Sequence, residues 1–342
     1  MIRNQKMIRD QKLVDINTKG HTQIVWMVND ICPFHCWYCP EPTWNGQTNQ
    51  DFTWEQCSHA IDLIQEHYKE GYFLLTGGEP TNWPHYTKVC EKFSKNPKWS
   101  IVTMTNLSRK IEFIEKYIPH NIAVSCTYHP NVLKTDKQTE LFVEKIHAIK
   151  DQSIVAVRIM MDPLHFDRAL KLYYSLNDPK LFVEAVRISN FIDGYVSNDP
   201  KAGEDLEHSY TDEQLAILNT LESKVGPEYQ KAAHEIDPLN TTLTYEDGSS
   251  DWFNSTESWE AFITLDHHKR NRFKGWHCEI GLNNLYIDPK GGIAKSVCKG
   301  ARLDMVSSIK DIDNFTWPDR PTVCEFEWCF CHNEALITKS KP

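Results

Sequence analysis

Two periods of apolar and polar positions run through the first half of the chain. Gln23 to Asn29, Tyr72 to Thr76, Ile101 to Thr105, Ile122 to Thr127, Ile154 to Met160 and Leu181 to Ile188 are short and rich in β-branched and aromatic residues. They read as strands. Between them, Trp54 to Lys69, Pro84 to Phe93, Lys110 to Tyr117, Gln138 to Lys150 and His165 to Leu176 carry the helical period. In the first of these, Trp54, Cys57, Ile61, Ile64 and Tyr68 share a face, and Thr53 with Gln56 makes a capping box. Strands alternating with helices call for an α/β fold with a parallel sheet buried by helices. Six strands with right-handed crossovers form either an open doubly wound sheet or a partial barrel, and periodicity alone does not choose.

The pattern fades after Asn190. Asp193 to Glu207 is polar and acidic, a helix is predicted over Asp212 to Lys224, and Pro227 to Ser258 reads as a polar loop holding Trp252. This stretch, which extends past Trp259, reads as a bridge or lid. The basic run His267-His268-Lys269-Arg270 reads as a solvated face, with an anionic-substrate site as the alternative. Farther on, Leu285-Tyr286-Ile287 and Ile293-Ala294 flank Asp288-Pro289-Lys290-Gly291-Gly292, a β-hairpin signal. The near-duplicate Met1 to Lys6 and Met7 to Lys12 reads as a frayed terminus. The expected organisation is an extension over 1–21, a strand–helix unit over 22–190, a bridging region over 191–275 and a small C-terminal domain over 276–342.

Composition narrows the chemistry. The 342 residues carry a formal charge of −10, which argues against unaided binding to nucleic acid or anionic membrane. No run approaches the ~18 apolar residues of a spanning helix, and no apolar signal segment is visible, so a cytoplasmic location is expected. Eleven cysteines in such a chain favour metal or redox chemistry over a disulfide scaffold.

Three of them form Cys32-x3-Cys36-x2-Cys39, directly after the first predicted strand. Three thiolates on one tight loop can hold three irons of a cubane and leave the fourth open. Zinc with His35 as fourth ligand is the alternative, although zinc ligands usually come as two C-x2-C pairs. The loop resembles that of the radical S-adenosylmethionine (radical SAM) superfamily, with Tyr38 at the aromatic position before the last cysteine. The resemblance implies that Cys32, Cys36 and Cys39 bind a 4Fe–4S cluster whose open iron chelates the amino and carboxylate groups of SAM. It implies that Tyr38 meets the adenine through its backbone.

The ends of later strands extend the resemblance. Thr76-Gly77-Gly78-Glu79-Pro80 is similar to the Gly-Gly-Glu-Pro element beside the SAM amino group. Glycines there let backbone approach a ligand, and a carboxylate suits an ammonium. Thr105-Asn106 resembles the Thr-Asn-Gly near the ribose, with Leu107 in place of the glycine. Ser125 in Val124-Ser125-Cys126 matches a ribose or carboxylate contact, and Arg158 a basic partner of the SAM carboxylate, with a structural ion pair as its alternative. Cys126 is a candidate for returning a hydrogen atom to a substrate radical, with core packing as its alternative. His129 and Tyr128 are candidate substrate contacts. All these residues fall at the C-terminal ends of parallel strands, where barrel sites assemble.

Cys278, the hairpin, Cys298 and then Cys324-x4-Cys329-x-Cys331 resemble the SPASM/twitch auxiliary-cluster domain. Five cysteines fit one cluster rather than two. Cys278 and Cys298 lead as ligands, and two of Cys324, Cys329 and Cys331 complete the set, with Cys329 and Cys331 preferred. A structural zinc site is the alternative.

The resemblance implies a partial (β/α)6 radical SAM barrel with a small C-terminal α+β auxiliary-cluster domain. It implies an enzyme that reductively cleaves SAM to a 5′-deoxyadenosyl radical and abstracts hydrogen from a substrate C–H bond. A one-electron reductant such as flavodoxin or ferredoxin would serve it. The expected substrate is a peptide or protein side chain. Oxidation or rearrangement of a small metabolite, such as a sugar or aminocyclitol, is the rival, helped by the short segment before the first predicted strand. A non-catalytic iron–sulfur or zinc protein is the remaining alternative.

Overall fold

The computed structural model describes residues 12–20, 22–39, 45–46, 50–120, 122–188, 210–236, 240–254, 261, 265, 270–298, 306–329 and 335–342. The predicted segment 193–207, the basic residues 267–269, Trp259 and Cys331 lie outside them. A strand that the sequence pattern does not predict, β1 (Leu13–Lys19), precedes the six that it does. Those are β2 (Thr22–Asn29), β3 (Gly71–Gly77), β4 (Trp99–Thr105), β5 (Ala123–Tyr128), β6 (Ile154–Met160) and β7 (Leu181–Val186). The helices between them are α1 (Trp54–Tyr68), α2 (Tyr86–Phe93), α3 (Ile111–Tyr117), α4 (Asp136–Ile149) and α5 (Phe166–Ser175). The Thr53/Gln56 capping box at α1 is formed as expected, and a second one, Thr135/Gln138, starts α4.

After α5 the chain departs from expectation. The helix predicted over Asp212 to Lys224 ends at Leu218, and Lys224–Val225 form β8. The segment read as a polar loop holds the helix Pro227–Ile236 and strands β9 (Asn240–Tyr245) and β10 (Ser250–Asn254). Thr241, Leu243 and Tyr245 alternate inward on β9, and threonine at three of its six positions hid that period. Short strands follow: β11 (His277–Cys278), β12 (Asn284–Ile287), β13 (Gly292–Ala294), β14 (Ser307–Ser308), β15 (Thr322–Val323) and β16 (Lys339–Ser340).

Ten strands make the larger sheet, in the order β14-β13-β12-β2-β3-β4-β5-β6-β7-β8. β2 to β7 are parallel neighbours in sequence order, which is the partial (β/α)6 barrel. Among the described residues β14 and β8 are its edges, so the barrel is open. The predicted hairpin forms as β12 and β13, and β12 lies parallel to β2 with Tyr286 opposite Val25. Thus the hairpin extends the barrel sheet. The smaller sheet is wholly antiparallel, in the order β10-β9-β1-β16-β11-β15. It joins β1, from the predicted N-terminal extension, to strands more than two hundred residues away.

Alternation along the parallel strands separates two faces. Ile24, Trp26, Phe73, Leu75, Ile101, Val124, Cys126, Val155 and Val157 face α1 to α5 and join their apolar faces in one core. Val25, Leu74 and Tyr286 point the other way, into a small inner cluster. The large core carries most of the stabilisation, at about 1.5–3 kcal/mol for each large apolar side chain buried. Its role for the site is to hold the C-terminal strand ends rigidly on one rim.

Candidate active site

The chain leaves β2 at Asn29, and the cysteine loop begins three residues on. Two glycines at the end of β3 let this passage occur. A Cβ on Gly77, whose φ is +133°, would lie 2.2 Å from the Asn29 carbonyl oxygen. A Cβ on Gly78 would lie 2.3 Å from the Ile31 carbonyl oxygen. No L side chain fits at that distance. The Gly78 N–H donates to the Asn29 carbonyl at 3.0 Å, and the Glu79 N–H to the Ile31 carbonyl at 2.8 Å. These glycines therefore bring backbone to backbone, seating the start of the cysteine loop on β3. The close approach expected of them is real, but its partner is the chain itself.

Glu79 is wholly buried. Its Oε1 accepts from the Thr81 N–H (3.1 Å), the Thr81 hydroxyl (2.6 Å) and the Thr105 hydroxyl (2.7 Å). Its Oε2 accepts from the Asn106 N–H (2.8 Å). Burial raises its pKa above the usual carboxylate range against these four bonds. The carboxylate thus ties the end of β3 to the end of β4. Asn106 continues the chain of contacts: its Nδ2 donates to Cys32 Sγ at 3.3 Å, beside the Phe34 N–H at 3.4 Å.

Leu107 stands where the resemblance has glycine, and its φ is +52°. A left-handed conformation costs a leucine about 1–2 kcal/mol. Lys145, on α4 and 7% exposed, donates from Nζ to the Leu107 carbonyl at 2.7 Å and holds the turn. Burial lowers the pKa of that amine. The substitution therefore leaves the glycine-like backbone in place.

The rest of the loop is tied to β5 and β6. The Cys39 N–H donates to the Cys36 carbonyl at 3.0 Å, closing a turn. The Tyr38 hydroxyl donates to Asn131 Oδ1 at 3.0 Å and lies 2.8 Å from His129 Nδ1. The Tyr38 and His129 rings are stacked. Cys36 Sγ lies 3.4 Å from the same Nδ1. Trp37 Nε1 donates to Asp162 at 3.3 Å, and Asp162, wholly buried, also holds His165 Nδ1 and the Leu164 N–H. The cysteine loop thus lies across the ends of β3, β4, β5 and β6.

The three thiols interact. Cys36 and Cys39 share a hydrogen bond, and Cys32 is electrostatically coupled to both. The bond to Cys39, with burial, pushes the Cys36 thiol up to about 12, and the same bond lowers Cys39. Burial pushes Cys32 up to about 11.

Residues 26–170 match the family model described as the Radical SAM superfamily. The chain carries a radical SAM domain. Among solved structures it is similar to BtrN in complex with AdoMet and 2-DOIA, with a TM-score of 0.41 and 11% identity, over 87% of this chain and 82% of that one. It is also similar to native anSMEcpe with bound AdoMet and Cp18Cys peptide, with a TM-score of 0.48 and 14% identity, over 84% and 77%. A third is Streptococcus suis SuiB bound to precursor peptide SuiA, with a TM-score of 0.42 and 11% identity, over 81% and 60%. No curated protein matches the chain.

The family whose model matches residues 26–170 is one of enzymes, and its cofactors are a 4Fe–4S cluster and SAM. The donor set suits the cluster. Among the described residues no three His, Cys, Asp or Glu side chains converge as ligands of one ion do. A cubane asks for the opposite, because each thiolate takes a different iron. Cys32, Cys36 and Cys39, three thiols on one loop, supply one donor for each of three irons. Chemistry of this kind needs a one-electron reductant and a substrate. No described helix is long and apolar enough to cross a membrane.

Two predicted residues take other places. Cys126 is wholly buried on the helix-facing side of β5, in the core with Val124 and Tyr128. Ser125 and Thr127 face the opposite way and are half-buried. Cys126 thus packs as its core alternative has it, because one step along a strand reverses the face. Tyr128 lies on the same helix-facing side, its hydroxyl meeting Thr139 of α4 at 2.8 Å. Arg158 does lie on the inner face, where its Nε donates to Glu184 of β7 at 3.0 Å.

The second cysteine set is spread. Cys278 is buried on β11, beside β15 and β16. The Cys324 N–H donates to the Trp276 carbonyl at 2.8 Å, and the Cys329 N–H to the Asn271 carbonyl at 2.8 Å. Cys324 and Cys329 pack against the same small core. Cys298 follows β13, at the end of the barrel sheet's hairpin. None of the ten described cysteines is disulfide-bonded.

Sequence reasoning missed Asn131, Asp162, Glu184 and Lys145. Asn131 and Asp162 follow the ends of β5 and β6, so their positions after a strand were the available signal. Lys145 sits mid-helix among apolar neighbours, and nothing local marks it.

Proposed function

We propose that Cys32, Cys36 and Cys39 hold the 4Fe–4S cluster and that SAM lies along the ends of β3 to β6. When bound, these cofactors supply reductive cleavage of SAM to a 5′-deoxyadenosyl radical, which takes hydrogen from a substrate C–H bond. The observation that carries this reading is the anchoring of one cysteine loop to four successive strand ends by Gly77, Gly78, Asn106, Tyr38 and Trp37.

The chain's residues divide the work. Asn106 and the Phe34 N–H donate to Cys32 and favour its thiolate. Glu79, Thr105 and Lys145 fix the turn that presents Asn106. Glu79 acts by position, since its carboxylate oxygens are spent on protein donors. Thr105 serves the same network. Tyr38 offers its backbone to the adenine. Ser125, half-buried on the inner face, would meet the ribose. Arg158 offers its guanidinium to the SAM carboxylate while Glu184 holds the side chain.

The substrate we propose is a peptide or protein side chain, oxidised or otherwise modified. A second reading, a sugar or aminocyclitol, draws on the inner face. Thr127 and Glu184 add polar groups to that face beyond those assigned to SAM, which suits a hydroxylated or amino-substituted small molecule. Cys278, Cys298 and two of Cys324, Cys329 and Cys331 would hold an auxiliary cluster, so that the C-terminal domain over 276–342 would accept an electron from a product radical. Flavodoxin or ferredoxin is the proposed reductant, and a reducing cytoplasm the proposed location, because such clusters are oxygen-labile.

The test is anaerobic reconstitution with iron, sulfide, SAM and dithionite. Formation of 5′-deoxyadenosine by the full chain, and none by Cys36→Ala, supports the reading. An intact cluster with no 5′-deoxyadenosine overturns it. Short peptides and aminocyclitols, added separately, then reveal the substrate class by which of them accelerates 5′-deoxyadenosine release.

A further inference from the structure

We infer that His129 is a positioning residue for the electron-transfer step, donating its Nδ1–H to the Cys36 sulfur and so setting the potential of the cluster that Cys36 holds. This rests on the assignment of Cys36 as a cluster ligand, proposed above. Three observations carry it. His129 Nδ1 lies 3.4 Å from Cys36 Sγ and 2.8 Å from the Tyr38 hydroxyl oxygen. The one proton of that hydroxyl is directed to Asn131 Oδ1 at 3.0 Å, an acceptor only. With the amide so oriented, the Tyr38 oxygen faces Nδ1 as an acceptor, and the Nδ1–H tautomer completes the network. Cys36 is 2% exposed, so little water competes for its sulfur.

The arrangement makes Nδ1–H a shared donor to a phenol oxygen and a sulfur. An iron-bound thiolate has no proton to give, so the bond to Cys36 can run only from nitrogen to sulfur. A donor on a ligand sulfur withdraws charge and stabilises the reduced, more negative cluster, raising its potential. Phe34 and Tyr38 hold the ring in place. Phe34 packs edge-on against the imidazole at 5.8 Å, and Tyr38 stacks on it at an interplanar angle of 15°.

The test uses the full chain, reconstituted anaerobically, with midpoint potentials from redox titration followed by electron paramagnetic resonance. Added SAM marks the relevant signal, because only the cluster that binds it responds. In His129→Leu the potential of that signal is expected to move to a more negative value. In His129→Asn, which keeps an N–H near the Nδ1 position, it is expected to return toward wild type. An unchanged potential in His129→Leu with full iron content overturns the inference. If His129→Leu does not take up iron, His129→Asn decides: loading with the wild-type potential supports a donor role, and failure to load shows a merely structural one and overturns it. If the wild-type chain itself gives no SAM-responsive signal, the cluster assignment fails, and the inference falls with it before any variant is made.

Discussion

Cys32, Cys36 and Cys39 lie within eight consecutive residues, and their loop is anchored to the ends of β3 to β6. Cys278, Cys298, Cys324 and Cys329 span more than fifty residues and both sheets. The first set is prearranged by one loop on a rigid rim. The second depends on strands of two or three residues, held together by partners such as β1 and β16 from opposite ends of the chain. A site of the first kind can be lost locally, by one thiol or one anchoring bond. A site of the second kind depends on the packing of the whole smaller sheet.

The largest effects should separate the two regions outright. Cys36→Ala should abolish 5′-deoxyadenosine formation and remove about four irons per chain, the content of one cubane. Cys278→Ala should also lower iron by about four, yet leave SAM cleavage measurable, because the anchors described for the barrel loop are the ends of β3 to β6 and β11 belongs to the other sheet. Equal loss of SAM cleavage in both variants would break the comparison.

Next come the buried polar anchors of the first region. Lys145→Met should destabilise the apo chain by about 1–3 kcal/mol by orphaning the Leu107 carbonyl. Thermal unfolding measures this. Glu79→Gln should cost a similar ~1–3 kcal/mol, because each carboxylate oxygen accepts a backbone N–H and an amide can accept only one of them. The penalty should shrink as pH rises. The folded pKa of Glu79 is raised, so its contribution is full below the unfolded carboxylate value and is lost as pH climbs through the folded one. Glutamine does not titrate. Unfolding of both proteins at pH 5 and pH 7.5 reads the difference, and a penalty growing with pH would contradict the burial of an ionisable group there.

The smallest effect sharpens the inner face. Arg158→Lys should change stability by less than ~1 kcal/mol, since the pair with Glu184 is partly exposed. It should weaken SAM binding more than it weakens the fold. Equal SAM affinity, by equilibrium dialysis, would reduce Arg158 to an ion pair.

Much of the architecture was legible because its signals are local. Six strands and five helices of the barrel fall within a few residues of their predicted ends, since each carries its own apolar period. The loop Cys32 to Cys39 and the Gly77-Gly78-Glu79 element were visible for the same reason. β1, β9 and β10 were not. Each is rich in threonine, asparagine or charged residues, and the group becomes a sheet through partners distant in the chain, as Ile16 does opposite Leu243.

Spacing and periodicity by themselves determined the βα alternation, the three thiols on one loop and the placing of Glu79, Asn106, Ser125 and Arg158 near strand ends. Only the tertiary structure decided what those side chains meet. It turned Cys126 into the core, closed Glu79 against its own neighbours, paired Arg158 with Glu184 and brought His129 to Cys36. The physical reason is that a residue's period and its neighbours in sequence set its local conformation. Its hydrogen-bond partners come from other strands, and which ones come within 3 Å depends on the sheet order and register that packing selects.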